Sequence, residues 1–396
     1  MSNSPIQKIL FGSPGTGKSY QIHKSIIPKQ LQVSHQEQNV ITTVFHPEYT
    51  YGDFVGKLMP RTDDDGRVEY KFYPGHFLKA LSKAYRNIID SWIQLKKDQE
   101  NVRDNYKKEL GKNVEDFSVE ERRELKQRKE EVERQVQDVV LVIDELNRGN
   151  SAAIFGSIFQ LLDRDKKGWS QYSITMSDLE IFGLLNSMTF RMYNLEGKSV
   201  FYYNGDVCTE TNYNKYLREY ISERDPEIQG KNEVNLLENR IKIPPNLSII
   251  ATMNTSDNSI YFMDSAFKRR WDWEFVNIDD VQQREQIASR KVILYRSEIC
   301  AWYKLVDHLN KFIRRNYKVV RKIEDKQVGY FFLNEEIITE ASIKNKLMFF
   351  IWDSVFPNNR KPLAELLNLK EEDLVTFGQF TKPEIVKKFV TTILEV

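Results

Sequence analysis

Uncharged apolar runs and amphipathic stretches alternate along the chain. Val139–Ile143, VVLVI, carries no polar residue, the pattern of a strand covered on both faces. Leu247–Met253, LSIIATM, has the same character and stops at Asn254. The β-branched run Asn39–Phe45, NVITTVF, predicts a further strand, and a short apolar strand ends at Ile9–Phe11. Between these runs the period becomes helical. Ser19–Lys29 predicts a helix ending near Pro28, with a loop at HPEYTYGDF further on. Phe77–Leu95 places Phe77, Leu81, Ala84, Ile88 and Trp92 on one face, and Ser151–Asp163 turns Ile154, Phe155, Ile158, Phe159 and Leu162 inward. The expected fold is α/β, a parallel sheet flanked by helices.

Two stretches interrupt the pattern. From 96 to 138 Lys, Glu, Arg, Asp and Gln dominate, which predicts a solvated helical hairpin broken near Gly111, either an exposed insertion or an arm facing a partner or DNA. Residues 168–245 mix aromatic and polar residues with strand-like pieces such as SVFYY, and are read as a hairpin followed by a second insertion. After Phe275 the pattern is mostly helical. A core over 1–275 and a smaller, mainly helical domain over 276–396 are therefore expected.

With 396 residues, 40% hydrophobic and 29% charged, the chain can bury a full core. It has no apolar stretch of the about 18 residues that a membrane span needs, and its start, MSNSPIQKIL, lacks the regions of a signal peptide. A cytoplasmic protein without a membrane partner is expected. Cys208 and Cys300 fit no CxxC pattern and suit a reducing compartment. A net charge of +1 gives no overall pull on nucleic acid, so any such contact is local or made by another subunit.

Candidate chemistry begins at Gly12–Ser19, GSPGTGKS, a G-x-x-x-x-G-K-[ST] loop between a strand and a helix. Gly12, Gly15 and Gly17 let backbone N–H groups turn onto phosphate oxygens, with Pro14, Thr16 and Tyr20 completing the nucleotide-binding stretch. Lys18 is expected to reach the β and γ phosphates, and Ser19 to ligate Mg²⁺. At the end of VVLVIDE, Asp144 would hold Mg²⁺ through its hydration shell and Glu145 would polarise the attacking water. Asn254 could bond the γ phosphate or that water, and Asp257 is either its support or a turn former. NTSD lacks the lysine of a guanine-reading NKxD motif. In FKRRW, Phe267–Trp271, Arg270 is the first choice and Arg269 the second for a cation supplied to a neighbouring protomer's site. The expected activity is hydrolysis of GTP or ATP, a choice that no short motif here decides.

The order of loop, DE strand end, Asn strand end and paired arginines resembles an AAA+ NTPase, and more narrowly the McrB family of nucleotide-driven restriction motors. Beyond the loop, the resemblance is carried by FHPEYTYGDF (Phe45–Phe54), IDELNRGN (Ile143–Asn150), IPPNLSIIATMNTSD (Ile243–Asp257) and MDSAFKRRW (Met263–Trp271), with a weaker match at VGYFF (Val328–Phe332). It implies a hexameric ring with nucleotide sites between protomers, a separate McrC-like nuclease-bearing partner, and DNA reached through the complex. It also implies that Asn147 and Arg148 face a neighbour or the partner. Asn258 stands where the family often has arginine, and only a few residues precede the loop strand, so DNA recognition is expected in another subunit, an insertion or another protein form. Two readings compete: a MoxR-like chaperone remodelling protein complexes, and an assembly switch that translocates nothing. His46, Tyr49, Tyr51 and Phe54 read as loop and packing residues before nucleotide contacts.

Overall fold

The computed structural model describes the chain except residues 1–3, 34–37, 63–64, 189–190, 196–197, 204–205, 209–211, 225–232, 255–260, 262 and 279–280. Its main sheet has five strands: β1 (Gln7–Gly12), β2 (Val40–Val44), β3 (Val139–Asp144), β4 (Leu247–Asn254) and β5 (Asp272–Phe275), in the order β5-β1-β4-β3-β2. β4 pairs with β3 in parallel from Leu247↔Val139 to Ala251↔Ile143, and β2 pairs with β3 in parallel on its other side. Enclosure on both edges and both faces explains the unbroken apolar run, since Val139–Ile143 are all fully buried.

The described chain forms two compact units. The first comprises Met1–Lys8, Lys24–Ala251 and Tyr261–Asp272; the second Ile9–His23, Thr252–Ile260 and Trp273–Val396. In the first unit, α2 (His76–Leu110) runs 35 residues, well past the expected end at Leu95. The charged residues beyond Leu95 are good helix formers. Their helix continues until Gly111, at φ 64, caps it in the left-handed conformation. α3 (Val119–Glu130) then folds back, and Tyr106, Phe117 and Leu125 make a small core between the two. The 96–138 excursion is thus the far end of a long helix and its return. Residues 168–245 carry a short antiparallel pair (Ile174–Thr175 with Arg240–Ile241), a helix (Asp178–Ser187), a three-stranded antiparallel meander and a second helix (Asn212–Arg224).

The second unit is less purely helical than its pattern suggests. Lys291–Leu294 pairs antiparallel with Ser297–Ala301 and parallel with Ile337–Thr339. Its core is organised by α4 (Trp302–Arg315), which buries Trp302, Leu305, Val306, Leu309 and Ile313 at helical spacing. Among the described residues no helix is long and apolar enough to cross a membrane.

Candidate functional site

The glycine loop belongs to the second unit. β1 ends at Gly12, and Gly15 and Gly17 take φ of 75 and 76, conformations that a side chain strains. Thr16 Oγ1 donates to Ser13 O at 3.0 Å, closing the turn. α1 begins at Lys18 (Lys18–Gln21) and continues as a wider π-helical segment (Ile22–Gln30), which carries Pro28 inside the helix instead of ending there. The Lys18 ammonium is nearly buried and donates to Gly12 O at 3.0 Å and Ser13 O at 2.9 Å. It is thus curled over the loop's own carbonyls. Ser19 and Tyr20 are exposed.

A strap from later in the chain holds this loop. Gly329 N–H donates to Pro14 O at 3.0 Å, Phe331 N–H donates to Gly15 O at 2.8 Å, and Ser13 Oγ donates to Glu324 O. The Phe331 ring stacks on Tyr20 with centroids 5.7 Å apart. A Cβ on Gly15 would fall 2.6 Å from Phe332 N, and one on Gly17 3.0 Å from the Phe331 ring. The glycines therefore serve close packing as well as open amides. The strap runs from Glu324 into the VGYFF segment; sequence reasoning registered VGYFF as a weak family match and missed that it holds the loop.

In the first unit, β3 ends at Asp144 and Glu145 follows it, both half-buried. Glu145 adopts φ 57, ψ 44, a left-handed conformation that costs a non-glycine residue on the order of 1 kcal/mol and points to constraint at this position. Phe45 N–H donates to Asp144 O at 2.9 Å, and Arg148 N–H to Glu145 O at 2.9 Å. Asn147 is buried and Arg148 exposed. Ser151 Oγ donates to Leu146 O at 2.7 Å, and the Asn150 side chain caps the next helix at Ala153 N, which fixes the IDELNRGN turn. Asn254 is the last residue of β4 and half-buried; Asp257 and Asn258 lie outside the described residues.

FHPEYTYGDF and MDSAFKRRW, distant in sequence, meet in one aromatic cluster. Phe155 packs on Phe54 (4.8 Å between centroids), Phe267 (5.3 Å) and Trp271 (6.2 Å), and Phe45 stacks on Tyr49 (4.8 Å). Tyr49 O–H also bonds Thr43 Oγ1 and His76 Nδ1, and burial pushes its pKa up to about 12. Tyr51 O–H donates to Glu180 Oε1 at 2.9 Å. These side chains pack; exposed His46 lies edge-on to Tyr49. The two arginines part company. Arg270 Nη2 lies 2.6 Å from Asp163 Oδ2, its Nη1 donates to Ala266 O, and its guanidinium lies 3.8 Å over the Phe159 ring. Arg269 is exposed.

An α/β fold in which a glycine loop joins a sheet strand to a helix, and another strand closes on two carboxylates, is compatible with a P-loop NTPase core. No protein-family model matches the chain. It is 26% identical over 390 residues, 92% of its length and 82% of the relative's, to the Type II restriction enzyme BsuMI component YdiS of Bacillus subtilis (strain 168). The similarity to a restriction-enzyme component thus runs along nearly the whole chain.

Proposed function

We propose that this chain is a nucleoside triphosphatase of the AAA+ class, resembling the McrB type, and acts as the motor subunit of a restriction complex. The observation that carries the reading is the Gly12–Ser19 loop itself: glycines in left-handed conformations lead from the carboxyl end of a sheet strand into a helix that starts at Lys18. Open α/β sheets bind ligands beyond the carboxyl ends of their strands, and backbone N–H groups at a helix start favour phosphate. The similarity to a restriction-enzyme component over most of the chain supports the setting and a partner protein; a nuclease on that partner is part of the proposal.

Each residue then has a task. Lys18 would exchange the carbonyls of Gly12 and Ser13 for phosphate oxygens, which are stronger acceptors for an ammonium. Ser19 and Asp144 offer a hydroxyl and a carboxylate of the kind that hold Mg²⁺, and Mg²⁺ neutralises charge on the transferred phosphoryl group. Glu145 orients and deprotonates water; Asn254 assists from the end of β4, and Asp257, three residues on in sequence, is its candidate support. Ring assembly brings a neighbour's cation to the phosphate. Arg269 suits that task better than Arg270, because Arg270 is already engaged by Asp163 and Phe159 of its own protomer.

The test is release of phosphate from GTP and ATP by the full chain, with and without the product of an adjacent gene. Lys18→Ala is expected to abolish nucleotide binding. Glu145→Gln should keep binding and assembly but slow turnover by at least about a hundredfold, as loss of a group acting on the nucleophile does. Wild-type turnover in Glu145→Gln would refute its role, and a wild-type chain that binds neither nucleotide would refute the whole reading.

A further inference from the structure

The second unit contains a cavity of about 350 Å³ lined by Arg284, His308, Lys311 and Arg314, with Asp307 and Tyr330. Asp307, His308, Lys311 and Arg314 lie along one face of α4, turned from the face that buries Trp302, Leu305 and Leu309. Arg284 comes from another segment, its guanidinium 4.5 Å from the Tyr303 ring centroid and 4.0 Å from Asp307. Asp307 also accepts the Tyr330 hydroxyl proton at 2.7 Å, so the one acidic group of the lining is shared between a phenol and an arginine. Arg314 donates to Gln327 Oε1 at 3.0 Å and keeps further N–H donors of its fork. Lys311 makes no ion pair among the described residues, and the buried Nδ1 of His308 has no hydrogen-bond partner there.

A charged helix face is ordinarily convex, and its side chains spread into water. Here cations from two segments converge on a concavity, where they repel one another unless an anion joins them. Guanidinium forks and an ammonium together suit phosphate oxygens, and the volume lies at the small end of ligand pockets, which run from about 300 to 1,000 Å³. We propose that this cavity is a binding site for a phosphate-bearing anion, distinct from the Gly12–Ser19 loop. The phosphate could be that of a free polyphosphate or of a nucleic-acid backbone. The proposal does not depend on nucleotide hydrolysis by this chain.

The experiment uses the full-length Lys18→Ala protein, which removes the loop's lysine, and titrates it calorimetrically with tripolyphosphate and separately with a short DNA duplex. Binding of at least one probe is expected. Adding Arg284→Gln and Lys311→Gln, both at the cavity mouth, should weaken it at least tenfold without changing the melting temperature, and Arg284→Lys with Lys311→Arg should restore it. Tripolyphosphate alone bound identifies a free anion as the source; duplex bound through the same residues identifies a backbone. Failure of both probes to bind, or binding indifferent to the cavity substitutions, would overturn the proposal. Loss of self-association in place of phosphate binding would also overturn it, and would assign the cluster to an acidic protein surface.

Discussion

Arg270 and Asp163 form an ion pair at 2.6 Å in which only 9% of the arginine side chain is exposed. The pair closes a small network: Gln7 Nε2 donates to Arg270 O at 2.5 Å and to Leu162 O at 2.7 Å, tying the start of β1 to the segments that carry both partners. Removing the guanidinium strands a partly buried carboxylate and uncovers Phe159. Arg270→Ala should lower unfolding stability by about 2 kcal/mol, less than the loss for a fully buried pair because Asp163 keeps some solvent. Arg269→Ala should change stability by less than about 0.5 kcal/mol, as exposed substitutions do. Denaturant titration of both variants checks this. In mixed oligomers with Lys18→Ala subunits, Arg269→Ala subunits should regain some hydrolysis; absence of rescue with assemblies intact would remove the proposed trans role of Arg269.

Gly15 meets two demands at once. Its φ of 75 is strained for any side chain, and its missing Cβ makes room for Phe332 N at 2.6 Å. Gly15→Ala should destabilise by about 1–2 kcal/mol from the backbone conformation alone, with more from displacement of the strap. Hydrogen exchange should show the amides of Gly329 and Phe331 losing protection, since those two bond Pro14 O and Gly15 O. Unchanged protection at both amides would show that the strap does not depend on the loop.

Arg164 spans several elements. Its Nη1 donates to Gly168 O at 2.8 Å, Ile243 O at 3.1 Å and Pro244 O at 3.1 Å, and its Nη2 to Leu247 O at 2.8 Å. Loss of hydration lowers the guanidinium pKa to about 9, and the carbonyls replace the lost water. A lysine ammonium is a point donor that cannot reproduce this fork. Arg164→Lys and Arg164→Met should therefore both lose about 2–4 kcal/mol, the value of one or two hydrogen bonds to a charged group. Full stability in Arg164→Lys would show that charge alone suffices.

The buried strands were legible because enclosure leaves an unbroken apolar run: VVLVI and LSIIATM fall on β3 and β4. The hairpin turn at Gly111 was legible for a similar local reason, a glycine between charged helices. What stayed hidden depends on partners far along the chain. Nothing near Arg269 and Arg270 says which one meets Asp163, 107 residues away. Nothing near Gly15 announces Phe331 and Phe332. The strands at 291–294, 297–301 and 337–339 are short, and the last joins the first across α4, so their alternation is lost among helical periods. The resemblance motifs rich in aromatics mark a shared packing cluster, whereas the loop and the carboxylate pair were visible because their chemistry is local.

Asp138 immediately precedes β3, at the strand end opposite Asp144, and burial raises its carboxyl pKa from 3.8 to about 6. A raised folded-state pKa means that the folded chain binds more protons than the unfolded chain between about pH 4 and pH 6, so this group's contribution to stability falls as pH rises through that window. Below the window both states are protonated and no desolvation cost is felt; above it both are charged and the cost is complete. Asp138→Asn stays neutral throughout. It should therefore match the wild type near pH 4 and exceed it above pH 6, by about 1 kcal/mol once partial solvent access at this site is allowed for. Urea midpoints of the two proteins across pH 4–8 measure the difference directly. A gain of the same size at every pH would mean that the amide improves packing, and that Asp138 ionisation contributes nothing to the folded state.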